Sequence, residues 1–486
     1  MDNKFINKFL KGSAFSSIGT LVTIIVHFLS IKVMSAMSHA DFGTHAYIVV
    51  ISHGFQILSG LGLNLTLVKN LSGSFETINR KVVSGIFLAR ISQIGLISVV
   101  VYAVGHQFLP RLTDEGITPF IIYIPIIFSL GSVRELLLNM LQGLQQFNKY
   151  AYINIFSALT RLGSILFFFY IDQLTVANMI WVEIITYGLS LLVLIVNAPL
   201  ARLFTFNVDK EAFKAIFSFG LPLYANDILT YIYNRVNVLL VGGLLTLESV
   251  AYYDMSGKIP DGFGRLFTSL IVVFFPSISE LINENRHGEA QKFMNRGLVL
   301  GSTCLSFVAL GIFLFRDEVM LLLANETYLE ASFALALMMI NFNLNSIARM
   351  MGYTIVAAGH TTVPVKINLV SSAVNIIGCL ILIPRYGYVG AIYSLIGMNV
   401  VSQILNYFFL ARAGLKPQVL GFTKSTLFIV TLIVAYMTWL PDTYLLRGLT
   451  LLVYVALCWI FIPEVKSSVR YGLKLVGGRW FSSNGT

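Results

Sequence analysis

Charged residues are scarce in this sequence of 486 residues. They make up 12% of the chain, whereas hydrophobic residues make up 56%. A soluble protein carries about 25% charged residues, so this composition excludes an ordinary soluble globular domain. Cysteine is scarcer still, because Cys304, Cys379 and Cys458 stand alone in separate apolar stretches. Their spacing suits neither a metal site nor a disulfide framework.

The sequence also lacks the short motifs that mark covalent chemistry. It contains no GxxxxGK[ST] phosphate loop, no HExxH zinc motif and no GxSxG nucleophile elbow. The three histidines closest together are His39, His45 and His53, which we interpret as helix-end residues rather than metal ligands. We therefore expect that the protein is not an enzyme and that it uses no cofactor and no bound metal.

Long apolar stretches recur along the whole chain. A helix needs about 20 apolar residues to cross the hydrocarbon core of a bilayer. The predicted spans are 13–37, 44–68, 82–107, 117–143, 150–171, 175–198, 215–243, 250–280, 293–315, 331–357, 363–383, 389–411, 421–440 and 445–463. The first run is too long for a signal peptide, so we interpret it as an uncleaved span. The sequence predicts an all-α polytopic membrane protein with about 14 transmembrane helices.

The basic residues are distributed unevenly between the gaps that separate these spans. Of 33 Lys and Arg residues, 21 fall in alternate segments, four in the remaining gaps and eight inside the spans. Because short cytoplasmic loops carry the excess of Lys and Arg, both termini are predicted to be cytoplasmic, in a bacterial inner membrane. The dispersed basic residues set this orientation and do not form a patch for nucleic acid.

A faint internal repeat pairs residues at an offset of 208. It pairs Gly12 with Gly220 and Gly54 with Gly262, and it maps the first two spans onto the seventh and eighth. Such a small number of identities could arise by chance. The mapping of the first two spans onto the seventh and eighth nevertheless favours two parallel six-helix halves. The predicted organisation is an N-terminal lobe at 1–201, a cytoplasmic linker at 202–214, a C-terminal lobe at 215–414, spans thirteen and fourteen within 415–465, and a cytoplasmic tail at 466–486.

Charged residues lie inside the predicted spans, where each costs about 2.5–3.5 kcal/mol at mid-depth. The cations are Lys32, Arg90, Arg134, Arg161, Arg235, Lys258, Arg265 and Arg349, and the anions are Glu135, Glu183, Asp227, Asp254 and Asp261. Four of them, from Asp254 to Arg265, are spaced so that they share one face of span eight. A self-neutralising ladder of salt bridges and a polar cavity wall both explain that face.

A cavity with more cations than anions suits an anionic cargo that is rich in hydroxyl groups. Arginine grips phosphate oxygens in a bidentate manner, and tyrosine offers sugars an apolar face with a polar tip. Acidic residues would balance these charges or carry coupling ions. The predicted substrate-binding residues are Arg235, Lys258, Arg265, Arg134, Arg161, Arg349, Tyr224 and Tyr231. The predicted ion-coupling or charge-balancing residues are Asp227, Asp254, Asp261 and Glu183.

Four stretches resemble the polysaccharide flippases (Wzx-type, for O-antigen units) of the multidrug/oligosaccharidyl-lipid/polysaccharide exporter superfamily. They are SHADFGTHAY at 38–47, GLPLYANDILTYIYNR at 220–235, SVAYYDMSGKIPDGF at 249–263 and ILIPRYGYVGAIYSLI at 381–396. The third stretch departs from the family at Ala251, where a glycine commonly stands.

The resemblance implies two six-helix lobes in a V-shaped, pseudo-symmetric arrangement, with two further C-terminal helices. It also implies alternating access that moves an undecaprenyl-pyrophosphate-linked oligosaccharide, for O-antigen or a related surface polysaccharide, from the cytoplasmic to the periplasmic leaflet. An ion gradient would drive this transport. The implied partners are the lipid-linked oligosaccharide, membrane lipids, a polysaccharide polymerase and a chain-length regulator.

Two other functions stay open. A multidrug or cation antiporter of the same superfamily would have a cavity dominated by carboxylates, whereas cations outnumber anions in these spans. A membrane glycan polymerase or acyltransferase would present a long outside loop or a catalytic polar cluster, and the sequence shows neither.

Overall fold

A computed structural model describes residues 3–71, 79–112, 115–205, 210–360 and 362–467. Within these ranges the regular structure is helical, with two 3-10 helices at Glu115–Phe120 and Glu326–Ala331, so the predicted all-α class is confirmed. The helices α1 to α17 are, in chain order, Asn3–Met34, His39–Leu58, Leu63–Leu71, Arg80–Leu112, Tyr123–Gly143, Phe147–Tyr170, Val176–Asn197, Leu200–Leu203, Lys210–Leu244, Leu247–Asn283, His287–Leu314, Arg316–Leu323, Ser332–Ala357, Val363–Tyr386, Tyr388–Arg412, Val419–Trp439 and Tyr444–Phe461.

Ten helices are long and apolar enough to cross a membrane, or eleven if the bent pair α2 and α3 counts as one span. These numbers refer to the described residues alone. The second predicted span coincides with the pair α2 and α3, and each of the other thirteen coincides with one helix. That the chain has fourteen transmembrane helices stays a prediction. Parts of the predicted linker (206–209) and of the predicted tail (468–486) lie outside the described residues.

Large apolar side chains stay exposed on the long helices. Val196 on α7 is 84% exposed and Trp439 on α16 is 82% exposed. In water such surfaces would promote association, whereas hydrocarbon tails solvate them well. Since a helix satisfies its own main-chain hydrogen bonds, it is suited to that solvent. The protein is a multi-pass membrane protein.

The second span is interrupted near its middle. The predicted span 44–68 is not one continuous helix, because α2 ends at Leu58 and α3 begins at Leu63 after a bend of 57°. Leu61 and Gly62 adopt φ values of 46° and 66°. The left-handed region is costly for a residue with a side chain, so neighbouring structure must hold Leu61 there.

The chain forms two compact units. The first comprises Met1–Met255 with Leu321–Tyr328 and Cys379–Ala391, and the second comprises Ser256–Met320, Leu329–Gly378 and Ile392–Thr486. The lobe boundaries proposed from the repeat stay a prediction.

In the first unit, a buried apolar core joins α3 to α4 and α5. Leu63, Leu67 and Leu71 repeat every four residues and form one fully buried stripe on α3. Val83, Ile86, Leu137 and Leu141 are among the residues that cover it. This core positions the polar residues that stand on the same three helices.

Lys32, one of the cations inside the predicted spans, is satisfied by main-chain oxygens of the first unit. Its Nζ donates hydrogen bonds to the carbonyl oxygens of Leu321 (2.6 Å) and Ala324 (2.7 Å). These carbonyls belong to the end of α12, where the helix dipole favours a positive charge.

In the second unit, α11 packs against α13, α16 and α17. The Ser302 and Ser425 hydroxyls are 2.7 Å apart, and the Tyr454 hydroxyl donates to the carbonyl oxygen of Thr303 at 3.0 Å. Such interhelical hydrogen bonds supply attraction in a membrane, where apolar packing against lipid gives none.

An ion-pair cluster ties the short helix α12 to the connection between α16 and α17. The Arg447 guanidinium donates to Asp442 and to Glu318, and the Tyr436 hydroxyl also donates to Asp442. The hydrogen bond from Arg447, with a smaller contribution from Tyr436, holds the pKa of the Asp442 carboxyl well below its usual range.

Candidate functional site

The predicted site residues are divided between the two units. Arg134, Arg161, Glu183, Tyr224, Asp227, Tyr231, Arg235 and Asp254 belong to the first unit, and Lys258, Asp261, Arg265 and Arg349 belong to the second. The functional role of each stays a prediction. Their surroundings within each unit show which of them are paired and which act in helix packing.

Arg161 and Glu183 form a buried ion pair in the first unit. The Arg161 Nη2 donates to the Glu183 Oε1 at 2.6 Å, across the contact between α6 and α7. Glu183 is 3% exposed. His45 of α2 brings its Nε2 within 3.4 Å of the same oxygen. Three helices therefore share one carboxylate, which suits the charge-balancing role predicted for Glu183.

Arg134 of α5 lies in a polar groove between α6 and α7. Its Nε donates to the Ser190 hydroxyl at 2.9 Å, and its Nη2 donates to the Asn154 Oδ1 at 3.1 Å. The Tyr187 ring lies 5.9 Å from the guanidinium carbon. These hydrogen-bond partners are neutral, and the guanidinium also interacts electrostatically with Glu135.

Arg90, which was not among the predicted site residues, has unusual surroundings in the structure. It is fully buried on α4, and none of its three guanidinium nitrogens has a hydrogen-bond partner among the described residues. The Oε2 of Glu135 on α5 is the acidic oxygen beside it, at 3.9 Å. The sequence signal was a lone arginine within an apolar span, which by itself names no partner.

The Glu135 side chain is hydrogen-bonded to a residue of α2 and is partly exposed. Gln56 donates its Nε2 to the Glu135 Oε2 at 2.7 Å, and the Glu135 side chain is 41% exposed. Asp227 of α9 interacts electrostatically with both Glu135 and Arg90. Two charged residues that the predicted site left out, Glu135 and Arg90, are therefore among the electrostatic neighbours of Asp227.

Tyrosine hydroxyls join α2 to α9 along most of the length of α2. Tyr47 donates to the carbonyl oxygen of Leu239 at 3.2 Å. Tyr231 donates to the carbonyl oxygen of Val50 at 2.8 Å, and Tyr224 donates to that of Leu58 at 2.9 Å. The hydroxyls of Tyr224 and Tyr231, which we predicted to bind substrate, are thus engaged in the contact between helices.

Glycines make room for this contact. A β-carbon on Gly54 would lie 2.7 Å from the Tyr231 hydroxyl, and one on Gly242 would overlap the Tyr47 ring. At the break in span two, Gly62 has its backbone directly against the Gly220 carbonyl. Helix α9 is therefore seated on the interruption of span two.

The second unit contains a chain of asparagine side chains between α13 and α15. Asn399 donates to the Asn341 Oδ1 at 2.8 Å and accepts a hydrogen bond from Asn345 at 3.1 Å. Arg349, one helical turn beyond Asn345, has its guanidinium carbon 5.7 Å from the centre of the Phe267 ring. This polar face of α13 thus packs partly against α15.

The four charged residues predicted to share a face of span eight all lie on α10. Asp261 and Arg265 are exposed, whereas Asp254 and Lys258 are half-buried. Arg265 is therefore accessible, as its predicted role in substrate binding would require.

The described residues contain no group of three or more His, Cys, Asp and Glu side chains arranged to hold a metal ion. His39, which begins α2, has its Nδ1 3.0 Å from the Tyr252 hydroxyl and 3.3 Å from a Glu248 oxygen. His45 lies beside Glu183.

Comparisons with known proteins agree with this architecture. In solved structures, the fold resembles that of the lipid II flippase MurJ in an inward closed conformation, with a TM-score of 0.68 and 16% identity over 94% of this chain and 99% of MurJ. It also resembles an inward-facing multidrug resistance MATE family transporter of the MOP superfamily, with a TM-score of 0.69 and 11% identity over 81% of this chain and 94% of the transporter. At these identities the likeness concerns the fold alone. The fold and the buried charges define a polytopic membrane protein.

The sequence itself identifies the family. Residues 36–333 match the family model described as polysaccharide biosynthesis protein. The chain belongs to this family, and the family resemblance found in the sequence motifs is confirmed. Agl15 of Haloferax volcanii, a probable low-salt glycan biosynthesis flippase, is 22% identical over 297 residues. That match covers 60% of this chain and 61% of Agl15, less than two thirds of the relative.

Proposed function

We propose that the protein is a flippase that moves lipid-linked oligosaccharide repeat units across the membrane. The proposal rests on two findings taken together. The chain belongs to a polysaccharide biosynthesis family, and its fold is like that of a lipid II flippase. The likeness to Agl15 points in the same direction. Such cargo joins a polyprenyl lipid to a hydrophilic glycan, so it crosses a bilayer only where a protein shelters the glycan.

The proposed cargo is an undecaprenyl-pyrophosphate-linked repeat unit of O-antigen or of a related surface polysaccharide. It moves from the cytoplasmic to the periplasmic leaflet of the bacterial inner membrane by alternating access, with both chain termini in the cytoplasm. The predicted cations bind its phosphate groups. Of these, Arg134 has neutral hydrogen-bond partners among the described residues, which supports this role.

Transport without covalent chemistry is proposed rather than glycan polymerisation or acyl transfer. The fold neighbours are a flippase and a transporter. A polymerase and a chain-length regulator would act on the product as partners after the glycan reaches the outer leaflet.

The fold likeness to a MATE family transporter favours one second candidate, a multidrug or cation antiporter. The two candidates differ in cargo charge. Each unit holds arginines inside its helical bundle, such as Arg134 and Arg349. A cationic drug would meet repulsion from them, so we place the flippase first.

Deletion of the gene in its host tests the proposal. We expect surface polysaccharide to be lost while unpolymerised lipid-linked sugar accumulates on the cytoplasmic side. Normal surface polysaccharide together with new sensitivity to cationic drugs would overturn the flippase and favour the antiporter.

A single substitution tests the binding role of one cation. Arg235→Gln should lower surface glycan while the protein stays in the membrane at normal abundance. Arg286→Gln, at an exposed residue between α10 and α11, is the control and should leave the glycan unchanged. Normal glycan in the Arg235→Gln strain would remove Arg235 from the site.

A further inference from the structure

A short segment, Leu321–Tyr328, contacts the turn between α1 and α2, and none of the predicted site residues lies in it. We name this segment the strap. It comprises the end of α12 and the first residues of the following 3-10 helix. The strap belongs to the first unit, whereas the chain on both sides of it, Ser256–Met320 and Leu329–Gly378, belongs to the second. A relative movement of the two units must therefore either carry the strap along or detach it.

The sequence predicts that the strap and the turn lie on the same side of the membrane. The strap falls between predicted spans nine and ten, and the turn falls between predicted spans one and two. With both termini in the cytoplasm, both gaps face the periplasm. Lys32 stands near the outer end of the first span, where a long basic side chain can reach polar groups at the membrane surface.

Lys32 forms the charged attachment between the strap and α1. Its Nζ donates hydrogen bonds to the carbonyl oxygens of Leu321 (2.6 Å) and Ala324 (2.7 Å). The last carbonyl groups of a helix have no partners within that helix, and the helix dipole favours a cation beside them. Hydrogen bonds from an ionised donor are about twice as strong as neutral ones. The ammonium group therefore joins the end of α12 firmly to the end of α1.

Two further contacts follow along the strap. The Asn325 Nδ2 donates to the carbonyl oxygen of Ser35 at 3.1 Å. The Tyr328 ring has its centroid 4.6 Å from that of His39 and 5.8 Å from that of Phe42. The strap thus contacts α1, the turn and the start of α2 in succession.

The same contact contains two unfavourable groups. Tyr328 is fully buried, and its hydroxyl has no hydrogen-bond partner among the described residues. The Nε2 of His39 is also buried without such a partner. A buried polar group that is left unsatisfied loses its hydration without compensation, and detachment of the strap would return both groups to water. The attachment by Lys32 is thus partly offset, as suits a contact that opens and closes repeatedly.

We propose that the strap holds the periplasmic side of the protein closed and that it detaches whenever that side opens during transport. The proposal rests on the proposed function and adds a conformational device to it. Lys32 fastens the strap, and the buried hydroxyl of Tyr328 limits how tightly the strap is held. Release of a large hydrophilic glycan needs a wide opening, which a segment bound to the turn would obstruct.

Thiol labelling measures detachment of the strap without any cargo. The three native cysteines are first replaced by alanine. Ala324→Cys then places a thiol at a fully buried position of the strap, and Ala36→Cys, at an exposed position of the turn, is the matched control. In right-side-out vesicles, a membrane-impermeant maleimide should modify Ala36→Cys rapidly and Ala324→Cys slowly. Equal rates would overturn the closed strap, and modification of Ala36→Cys only after the vesicles are opened would overturn its outer placement.

Two substitutions should change this labelling in opposite directions. A buried thiol reacts only when the strap is detached, so the rate follows the population of that state. Lys32→Met removes the charged donor and should raise the labelling rate of Ala324→Cys about tenfold, whereas Lys32→Arg should keep the slow rate. Tyr328→Phe removes the unsatisfied hydroxyl and should lower the rate about fivefold. An unchanged rate in Lys32→Met, or a higher rate in Tyr328→Phe, would overturn the proposal.

Cross-linking in cells tests whether transport requires the strap to detach. Ala36→Cys and Glu326→Cys are exposed positions beside the residues that are hydrogen-bonded between the turn and the strap. A bifunctional maleimide with a cleavable linker can therefore join them. The joined protein should add no new surface glycan until the linker is cleaved. Gln173→Cys with Ala177→Cys, both exposed where α6 connects to α7, is the control pair and should continue to export.

The outcomes separate this proposal from the proposed function. Normal export by the joined protein would overturn the role of the strap in transport, even if the labelling rate depends on Lys32. Normal surface glycan after deletion of the whole gene would instead overturn the proposed function, and the labelling rates, which need no cargo, would still report whether the strap opens.

Discussion

Gly43 of α2 packs directly against the backbone beside Ala251 of α10. A β-carbon on Gly43 would overlap the Leu247 carbonyl oxygen and lie 3.1 Å from the Ala251 amide nitrogen. Positions 43 and 251 are also separated by the 208-residue offset of the predicted internal repeat. The glycine of the SHADFGTHAY motif is required because main chain, not side chain, fills its surroundings.

Gly43→Ala should destabilise the protein strongly, because the Leu247 carbonyl must move to admit the new methyl group. Gly163→Ala on α6 is the control, since a β-carbon there meets nothing within 4 Å and alanine favours the helix by about 1 kcal/mol. Thermal unfolding of both variants in detergent checks the prediction. Equal midpoints for the two variants would contradict it.

Arg161→Gln should cost about 3–5 kcal/mol, because it leaves the buried Glu183 carboxylate without its principal cation. The double variant Arg161→Gln, Glu183→Gln should recover part of that loss, since no unpaired charge stays buried. Unfolding in a denaturing detergent measures the free energies of both single variants and the double variant. Additive losses would show that the two side chains are not coupled.

Acidification should loosen the connection between α16 and α17. Arg447 and Tyr436 hold the pKa of Asp442 below its ordinary value, so the pairing stabilises the folded state above the pKa of the unfolded chain, about 3.9. That stability is lost as the pH falls from about 5 toward the lower folded pKa. Thermal midpoints measured across this range should fall less steeply for Asp442→Asn. Parallel curves would contradict the prediction.

Asn399→Leu should cost about 1–2 kcal/mol in the second unit, because the amides of Asn341 and Asn345 both lose a partner. Thr438→Val on α16 is the control, since that hydroxyl bonds only to the carbonyl of Val434 in its own helix and should be removed with little effect. Denaturant titration of both variants provides the comparison. A loss no larger for Asn399→Leu than for Thr438→Val would show that the asparagine chain contributes nothing to stability.

Helix positions followed from the sequence because each span must satisfy its main-chain hydrogen bonds internally. Averaged hydropathy could not show the break at 59–62, since the residues around Leu61 are as apolar as those of a continuous helix. The glycines on either side of Leu61 were a signal of it. The left-handed backbone there depends on the seating of α9, which a local pattern does not contain.

The candidate site was predictable as a list of unusual residues but not as a set of pairs. The sequence marked Arg161 and Glu183 as costly charges, yet their pairing depends on the contact between α6 and α7. Tyr224 and Tyr231 were predicted from chemistry suited to sugars, whereas their hydroxyls donate to carbonyl oxygens of α2. A hydroxyl group has the same chemistry in both settings, so its partner follows only from tertiary structure.

The hydrogen bonds from Lys32 to Leu321 and Ala324 set an order for biogenesis. The acceptors are synthesised 289 residues and more after the lysine. At about 5–20 residues per second, the ammonium group waits on the order of 15–60 s before its partners leave the ribosome. Throughout that interval the first helix carries an unneutralised cation, which lipid headgroups or the insertion machinery must accommodate. The first unit is therefore completed only after much of the second unit has been synthesised.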